Sequence, residues 1–175
     1  MAVPSVTTCW PGPKKEMMMT YVKVAGRWCY LYRAIDSNGN LVETMLSKTR
    51  DMDAAKRFFA CALKTVGQTP ETVTTAGHDS YPRAVRETLG PDVHHGTSRS
   101  MNKRIEQDHR GITQHYYPMR GFGSFDAAAR FCTAHDELRD HFRPRTRFNE
   151  AVSLAEQRRL FQERWGEVCA LLQAA

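Results

Sequence analysis

No C-x-x-C pair, no apolar run long enough to cross a bilayer and no surplus of acidic residues occur in this sequence, and each absence removes a class of function. The five cysteines, Cys9, Cys29, Cys61, Cys132 and Cys169, are scattered. That excludes the spacing of a zinc ribbon or a dithiol redox centre, and they read as reduced thiols. No apolar stretch approaches the ~20 residues of a membrane span, and Met1 to Lys15 lacks the continuous apolar segment of a secretory signal. The expectation is a soluble, cytoplasmic chain without a membrane partner. Internal repeats and low-complexity tracts are also missing. What is present is cationic: 25 Lys and Arg against 19 Asp and Glu, a formal charge of +6. The excess is mostly arginine, whose planar fork suits phosphate, so nucleic acid is the first partner to consider, with a solvated cationic face as the plain alternative. At 175 residues and 41% hydrophobic content, the chain can bury the core of one domain.

The order of local patterns predicts an α/β domain. Residues 1–17 carry Pro4, Pro11, Gly12, Pro13 and Lys14-Lys15 without apolar periodicity, and read as an unstructured tail ahead of a domain spanning 18–175. Thr20 to Val24 and Trp28 to Ile35 predict a hairpin, Asp36 to Asn40 a turn, and Leu41 to Ser47 a third strand. A helix follows over Ala54 to Val66, with Asp53 to cap it and Gly67 to end it. Thr72 to Thr75 reads as a strand returning after a helical crossover. A second helix starts at Pro82, with Asp79 as its cap and Gly90 as its stop, and Val93 to Thr97 forms a fifth strand.

The last third is helical. Ser100 caps a helix with Met101, Ile105 and Ile112 on one stripe, bent near Gly111, and Ser124 caps another that Pro144 closes. Ser153 and Glu156 make a capping-box pattern for a helix whose stripe of Leu154, Phe161, Trp165, Val168 and Leu172 reads as core packing, with a dimer face as the lesser reading.

Several blocks of sequence carry a resemblance. Tyr21-Val22-Lys23-Val24-Ala25-Gly26-Arg27-Trp28 and Tyr30-Leu31-Tyr32-Arg33-Ala34-Ile35-Asp36 are two of them. Gly77-His78-Asp79-Ser80-Tyr81-Pro82-Arg83-Ala84, Asn102-Lys103-Arg104-Ile105-Glu106-Gln107-Asp108-His109-Arg110-Gly111 and Pro118-Met119-Arg120-Gly121-Phe122 follow in order. Together they resemble the catalytic core of bacterial DDE transposases of insertion-sequence family six, over about residues 20 to 172. The resemblance implies a ribonuclease-H-like fold: a mixed five-stranded sheet flanked by helices, with a helical C-terminal third. It implies DNA as partner (transposon ends and target), strand cleavage and transfer as activity, and magnesium (or manganese) as cofactor. It also implies a homo-oligomer or association with an intact transposase.

Two aspartates and a glutamate hold the metals in that family, because hard cations take carboxylate oxygens and a metal pair can serve both the attacking and the leaving oxygen. Those positions fall on Met18, Ala76 and Glu106, so Glu106 alone remains as the expected catalytic and metal-binding residue. A thioether or a methyl group is no oxygen ligand. Glu16, Asp36, Asp79 and Asp108 are the nearest substitutes, but Asp36 reads as a turn residue and Asp79 as a cap. Asp108 and His109 resemble family residues beside the site.

Lys103, Arg104, Arg110 and Arg120 are the expected DNA-binding residues around Glu106, whereas Arg139, Arg143, Arg145 and Arg147 read as cations complementing a helix end. His94-His95 alternate across a strand and read as structural. The family's helix-turn-helix segment has no counterpart in residues 1–17, which suggests a truncated or frame-disrupted copy. The expected function is therefore that of a transposase-like protein defective in catalysis. The alternative is a non-enzymatic DNA-binding remnant that interferes with intact transposase.

Overall fold

The computed structural model describes residues 14–37, 39–97, 103–144 and 152–174, with the backbone alone at 14–16, 18 and 103–109. Strands β1 (Lys14–Val24), β2 (Arg27–Asp36) and β3 (Leu41–Ser47) form an antiparallel meander. Helix α1 (Met52–Val66) crosses to β4 (Thr72–Thr75), and α2 (Ser80–Leu89) leads to β5 (His94–Thr97). Both of these strands run parallel in the sheet, whose order is β3-β2-β1-β4-β5. Helices α3 (Lys103–Tyr116), α4 (Phe125–Phe142) and α5 (Leu154–Gln173) follow, with a short 3-10 turn at Tyr117–Met119 after α3. Among the described residues no helix is long and apolar enough to cross a membrane.

Strand alternation sorts the side chains into two cores. Met17 on β1, Tyr32 and Ala34 on β2 and Val73 on β4 meet Ala55, Phe58 and Phe59 of α1 and Ala84 and Val85 of α2. On the opposite face Val22, Val24, Cys29 and Leu31 meet Ile112 of α3, Phe122, and Ala128 and Cys132 of α4. The result is a mixed sheet between two helical layers, as the residue patterns predicted. The hairpin turns on Ala25 and Gly26, both with positive φ (47° and 78°), the backbone of a two-residue turn matched to strand twist.

Several local expectations are corrected. Strand β1 begins at Lys14, inside the segment read as tail, because its parallel pairing with β4 runs from Lys14↔Thr72 to Met17↔Thr75; residues 1–13 lie outside the described residues. The α1 cap is Asp51, not Asp53: its Oδ1 accepts the Ala54 N–H at 2.8 Å, while Gly67 ends the helix in the left-handed conformation as expected. Asp51→Ala should therefore lower the thermal unfolding midpoint by about 2–4 °C, and Asp53→Ala should barely move it.

Asp79 precedes α2 without a side-chain capping bond; His78 Nδ1 pairs with Ser80 Oγ at 2.7 Å instead. Helix α3 runs unbroken through Gly111, beside which the Arg139 guanidinium of α4 lies. Ser100 and Met101 lie outside the described residues.

Ser124 and Ser153 cap α4 and α5 as expected. In α5 the Glu156 carboxylate accepts from Arg159. The α5 stripe is not core: Leu154, Phe161, Trp165 and Leu172 are exposed. Both faces of the sheet are already covered by α1–α2 and α3–α4, and α5 meets the end of α4, where Phe142 lies 5.0 Å from Phe161 and 6.3 Å from Trp165 between ring centroids.

Candidate functional site

The centre of the sheet positions the residues singled out above. The β1–β4 register pairs Met17 with Thr75, and continued by one residue it sets Met18 beside Ala76 at the C-terminal end of β4. By alternation, position 18 belongs to the face that carries Val22 and Val24, which α3 and α4 cover. Glu106 stands in the first half of α3, whose Ile112, six residues on, is fully buried in that same core. Positions 18 and 76 each follow the last paired residues of the β1–β4 ladder, and α3, which carries Glu106, packs against the face of Val22 and Val24 through Ile112. Ala76 is exposed.

These groups do not fit a divalent metal pair. Methionine and alanine at the two strand positions supply no oxygen, and hard cations demand one. Among the described residues no three His, Cys, Asp or Glu side chains gather as a metal site. Asp36, one possible substitute, is committed to its turn, accepting the Asn40 N–H at 2.8 Å and the Asn40 side-chain amide at 2.9 Å. Asp79 is exposed at the start of α2.

Directly across β1 from Met18 stands Arg33 of β2, a residue the sequence reading passed over. Its Nε donates to Asp136 Oδ2 of α4 at 2.7 Å, with side chains 2% and 0% exposed. His135 Nδ1 lies 3.1 Å from the other Asp136 oxygen, and its ring sits 5.1 Å from that of His115. Burial pushes the Asp136 carboxyl up, but the His135 hydrogen bond and the Arg33 charge outweigh it and hold the carboxyl below its ordinary value. Arg33 Nη1 is buried without a hydrogen-bond partner among the described residues. Two signals in the sequence could have found this pair. Asp136 continues the Ala128, Cys132 spacing of the α4 core face, and Arg33 continues the Cys29, Leu31 alternation of β2.

On the backbone of α3, Lys103 and Arg104 precede Glu106 and Arg110 follows it, while Arg120 lies beyond the helix. Lys103 and Arg104 open α3 and Arg110 is exposed in its middle. Arg120 lies past the 3-10 turn in a left-handed conformation, its N–H bonded to the Tyr117 carbonyl. At 1.5 Å per residue α3 alone separates its ends by roughly 20 Å. Arg120 belongs instead with the tip of the β1–β2 hairpin. The adjacent Gly121 approaches Lys23 so closely that a Cβ would lie 2.8 Å from its carbonyl oxygen. Phe122 exchanges hydrogen bonds with Lys23 and Ala25. Arg143 donates to the Gly39 carbonyl at 2.8 Å, and Arg145 and Arg147 lie outside the described residues. His95 bonds Thr75 Oγ1 at 2.9 Å while His94 is exposed, so the two occupy opposite sides of the sheet as expected.

A mixed sheet of order 3-2-1-4-5 with helices on both faces is a ribonuclease-H-like architecture. The chain belongs to the DDE domain family of IS240-type transposases, whose family model matches residues 16–145. It is 41% identical over 98 residues to the transposase for insertion sequence-like element IS431mec of Staphylococcus aureus, and equally to that of element IS257 in transposon Tn4003 of the same organism. Each match covers 53% of this chain, and the matched stretch spans 43% of those relatives' length. A Yersinia pseudotuberculosis protein, pYV0051, is 37% identical over 71 residues, 39% of this chain and 66% of its own length.

Among solved structures, the fold is similar to a chain of the simian T-cell lymphotropic virus intasome complexed with a PP2A regulatory subunit. That match has TM-score 0.55 and 12% identity, over 86% of this chain and 54% of that one. It is likewise similar to the HTLV-2 integrase catalytic core in complex with magnesium, trimeric form, with TM-score 0.54 and 11% identity over 86% and 97% of the two chains.

Proposed function

We propose that this chain is a transposase-related DNA-binding protein whose strand-cleavage and transfer site is disabled. What supports the reading is the β1–β4 register, which ends at Met17↔Thr75 and, carried one residue further, would set Met18 beside Ala76, the positions where the family resemblance expects carboxylates. Glu106 remains as the single acid of the set. One carboxylate cannot balance two magnesium or manganese ions, so metal-dependent cleavage of DNA is lost while the cationic surface persists. Lys103, Arg104, Arg110 and Arg120 contact phosphates on transposon-end or target DNA.

A second reading is favoured by the uncovered aromatic face of α5, where Phe161 and Trp165 are exposed with interplanar angle 3°. There the chain associates with a second copy or with an intact transposase and interferes with its assembly.

The direct test combines a duplex-binding titration with a strand-cleavage assay. Affinity should fall steeply as salt rises, and replacing Arg110 and Arg120 together by alanine should lower the slope of log K against log salt by about 2, one per lost phosphate contact. DNA incubated with magnesium or manganese should stay uncut. Cleavage by the unaltered chain would overturn the disabled site, and salt-insensitive or undetectable duplex binding would overturn the DNA-binding role.

A further inference from the structure

We infer that the outer half of the β1–β2 hairpin is a stacking platform for unpaired DNA bases, an inference that rests on the DNA-binding reading above. Here the hairpin outruns its neighbours in the sheet. The pairing of β4 with β1 ends at Met17↔Thr75, and that of β3 with β2 ends at Tyr30↔Ser47. Past Met17 on β1 the hairpin therefore runs beyond β4, and before Tyr30 on β2 it runs beyond β3. On the face shared with Met17, three aromatic rings stand in sequence. Tyr21 and Tyr30 are cross-strand partners with ring centroids 5.5 Å apart, and Trp28 meets Tyr21 edge-on at 6.2 Å. Trp28 is 57% exposed and Tyr21 45%. Aromatic rings of this size normally supply core burial, so Trp28 and Tyr21, left to solvent beside the half-buried Tyr30, call for an occupant.

The rim identifies the occupant by charge. Lys23 holds its Nζ 6.0 Å from the centre of the Trp28 ring, and Arg50 Nη1 donates to the Tyr21 hydroxyl at 3.1 Å. Arg27 stands at the turn, and Arg120 adjoins through the packing of Gly121 on Lys23. Between Met17 and Ile35 the sequence contains no acidic residue. The nearest carboxylate along the chain from Arg50 is Asp51, which is engaged in capping α1. Aromatic faces framed by cations match a polyanion that carries planar rings. In a duplex those ring faces are covered by neighbouring base pairs, so the platform selects bases that are unpaired, stacking them on Trp28 and Tyr21 while Lys23, Arg27 and Arg50 hold the phosphates.

The test compares a fluorescein-labelled oligothymidylate of about 20 nucleotides with a duplex of the same length, titrated with the full chain, Trp28→Ala and Trp28→Phe at one ionic strength. Trp28→Ala should weaken single-strand binding about tenfold, the loss of one stacked base, while duplex affinity stays within about twofold. Trp28→Phe should recover most of the loss, and because Trp28 is largely exposed, both variants should melt with the parent.

Equal loss on both probes, or none on either, overturns the platform. Duplex binding by the unaltered chain without single-strand binding overturns the platform and leaves the DNA-binding function standing. Absence of both overturns that function as well. A change of molar mass by light scattering in Trp28→Ala, with single-strand affinity unaltered, would make the patch a protein contact and also overturn the inference.

Discussion

Truncating Asp136 to alanine is expected to destabilise the protein by about 3–5 kcal/mol, measured by urea unfolding, because it strands the Arg33 guanidinium in the core without its counter-charge. Arg33 projects from the middle of β2 into the layer under α4, and the Nε–Oδ2 bond of 2.7 Å is its described ion pair there. The cost comes from the orphaned charge more than from the lost attraction. Removing both partners at once, as Arg33→Met with Asp136→Leu, should therefore recover much of the stability. A loss below about 1 kcal/mol for Asp136→Ala would show that the pair is solvated and contributes little, as surface pairs do.

The pH dependence has a definite sign. The Asp136 carboxyl is held below its ordinary value in the folded chain, so the unfolded chain takes up its proton first as acid is added. Its contribution is fully present above an ordinary aspartate pKa of about 4 and is lost as pH falls through the lower folded value. Stability of the parent should thus slope downward below about pH 4. In Asp136→Asn that component of the slope should vanish.

If the proposed disabled site is right, installing carboxylates at both strand positions, as Met18→Asp with Ala76→Asp, is expected to create metal-dependent DNA strand cleavage. The gain at saturating metal should be on the order of a thousandfold over background, since metal stabilisation of the developing charge is worth several kcal/mol. Neither single substitution should suffice, because each leaves a two-ion site short of a ligand.

The surroundings favour the change. A carboxylate at position 18 would stand across from Arg33, whose Nη1 lacks a partner among the described residues, and Ala76 is exposed and tolerant of a larger side chain. A binding readout accompanies the chemical one: magnesium at about 100 times its dissociation constant should stabilise the double variant by about 2.7 kcal/mol and leave the parent unchanged. Stabilisation without cleavage would place the remaining deficit outside the metal site. No stabilisation would sink the assignment of positions 18 and 76.

Local chemistry made much of this protein legible from its residues. Alternation in Trp28 to Ile35, the β-branched run Thr72 to Thr75 and the stop at Gly67 each act over a few residues, so the order of strands and helices and the ribonuclease-H-like class could be read directly. Where two neighbouring acids could serve the same orphan N–H groups, the pattern misassigned the role, as with Asp51 and Asp53.

The Arg33–Asp136 pair is separated by 103 residues, and nothing local to β2 announces a partner on α4. The apolar stripe of α5 has the spacing of a core helix, yet it is left in solvent because the sheet has two faces and four earlier helices already fill them. Likewise, Tyr21 and Trp28 of the hairpin look like strand core in the linear chain, yet in the folded sheet they are exposed. Periodicity specifies which side of an element is apolar, whereas the area available to bury it is a property of the assembled layers, and that is why the buried ion pair, the bare helix and the exposed aromatic pair emerged only in three dimensions.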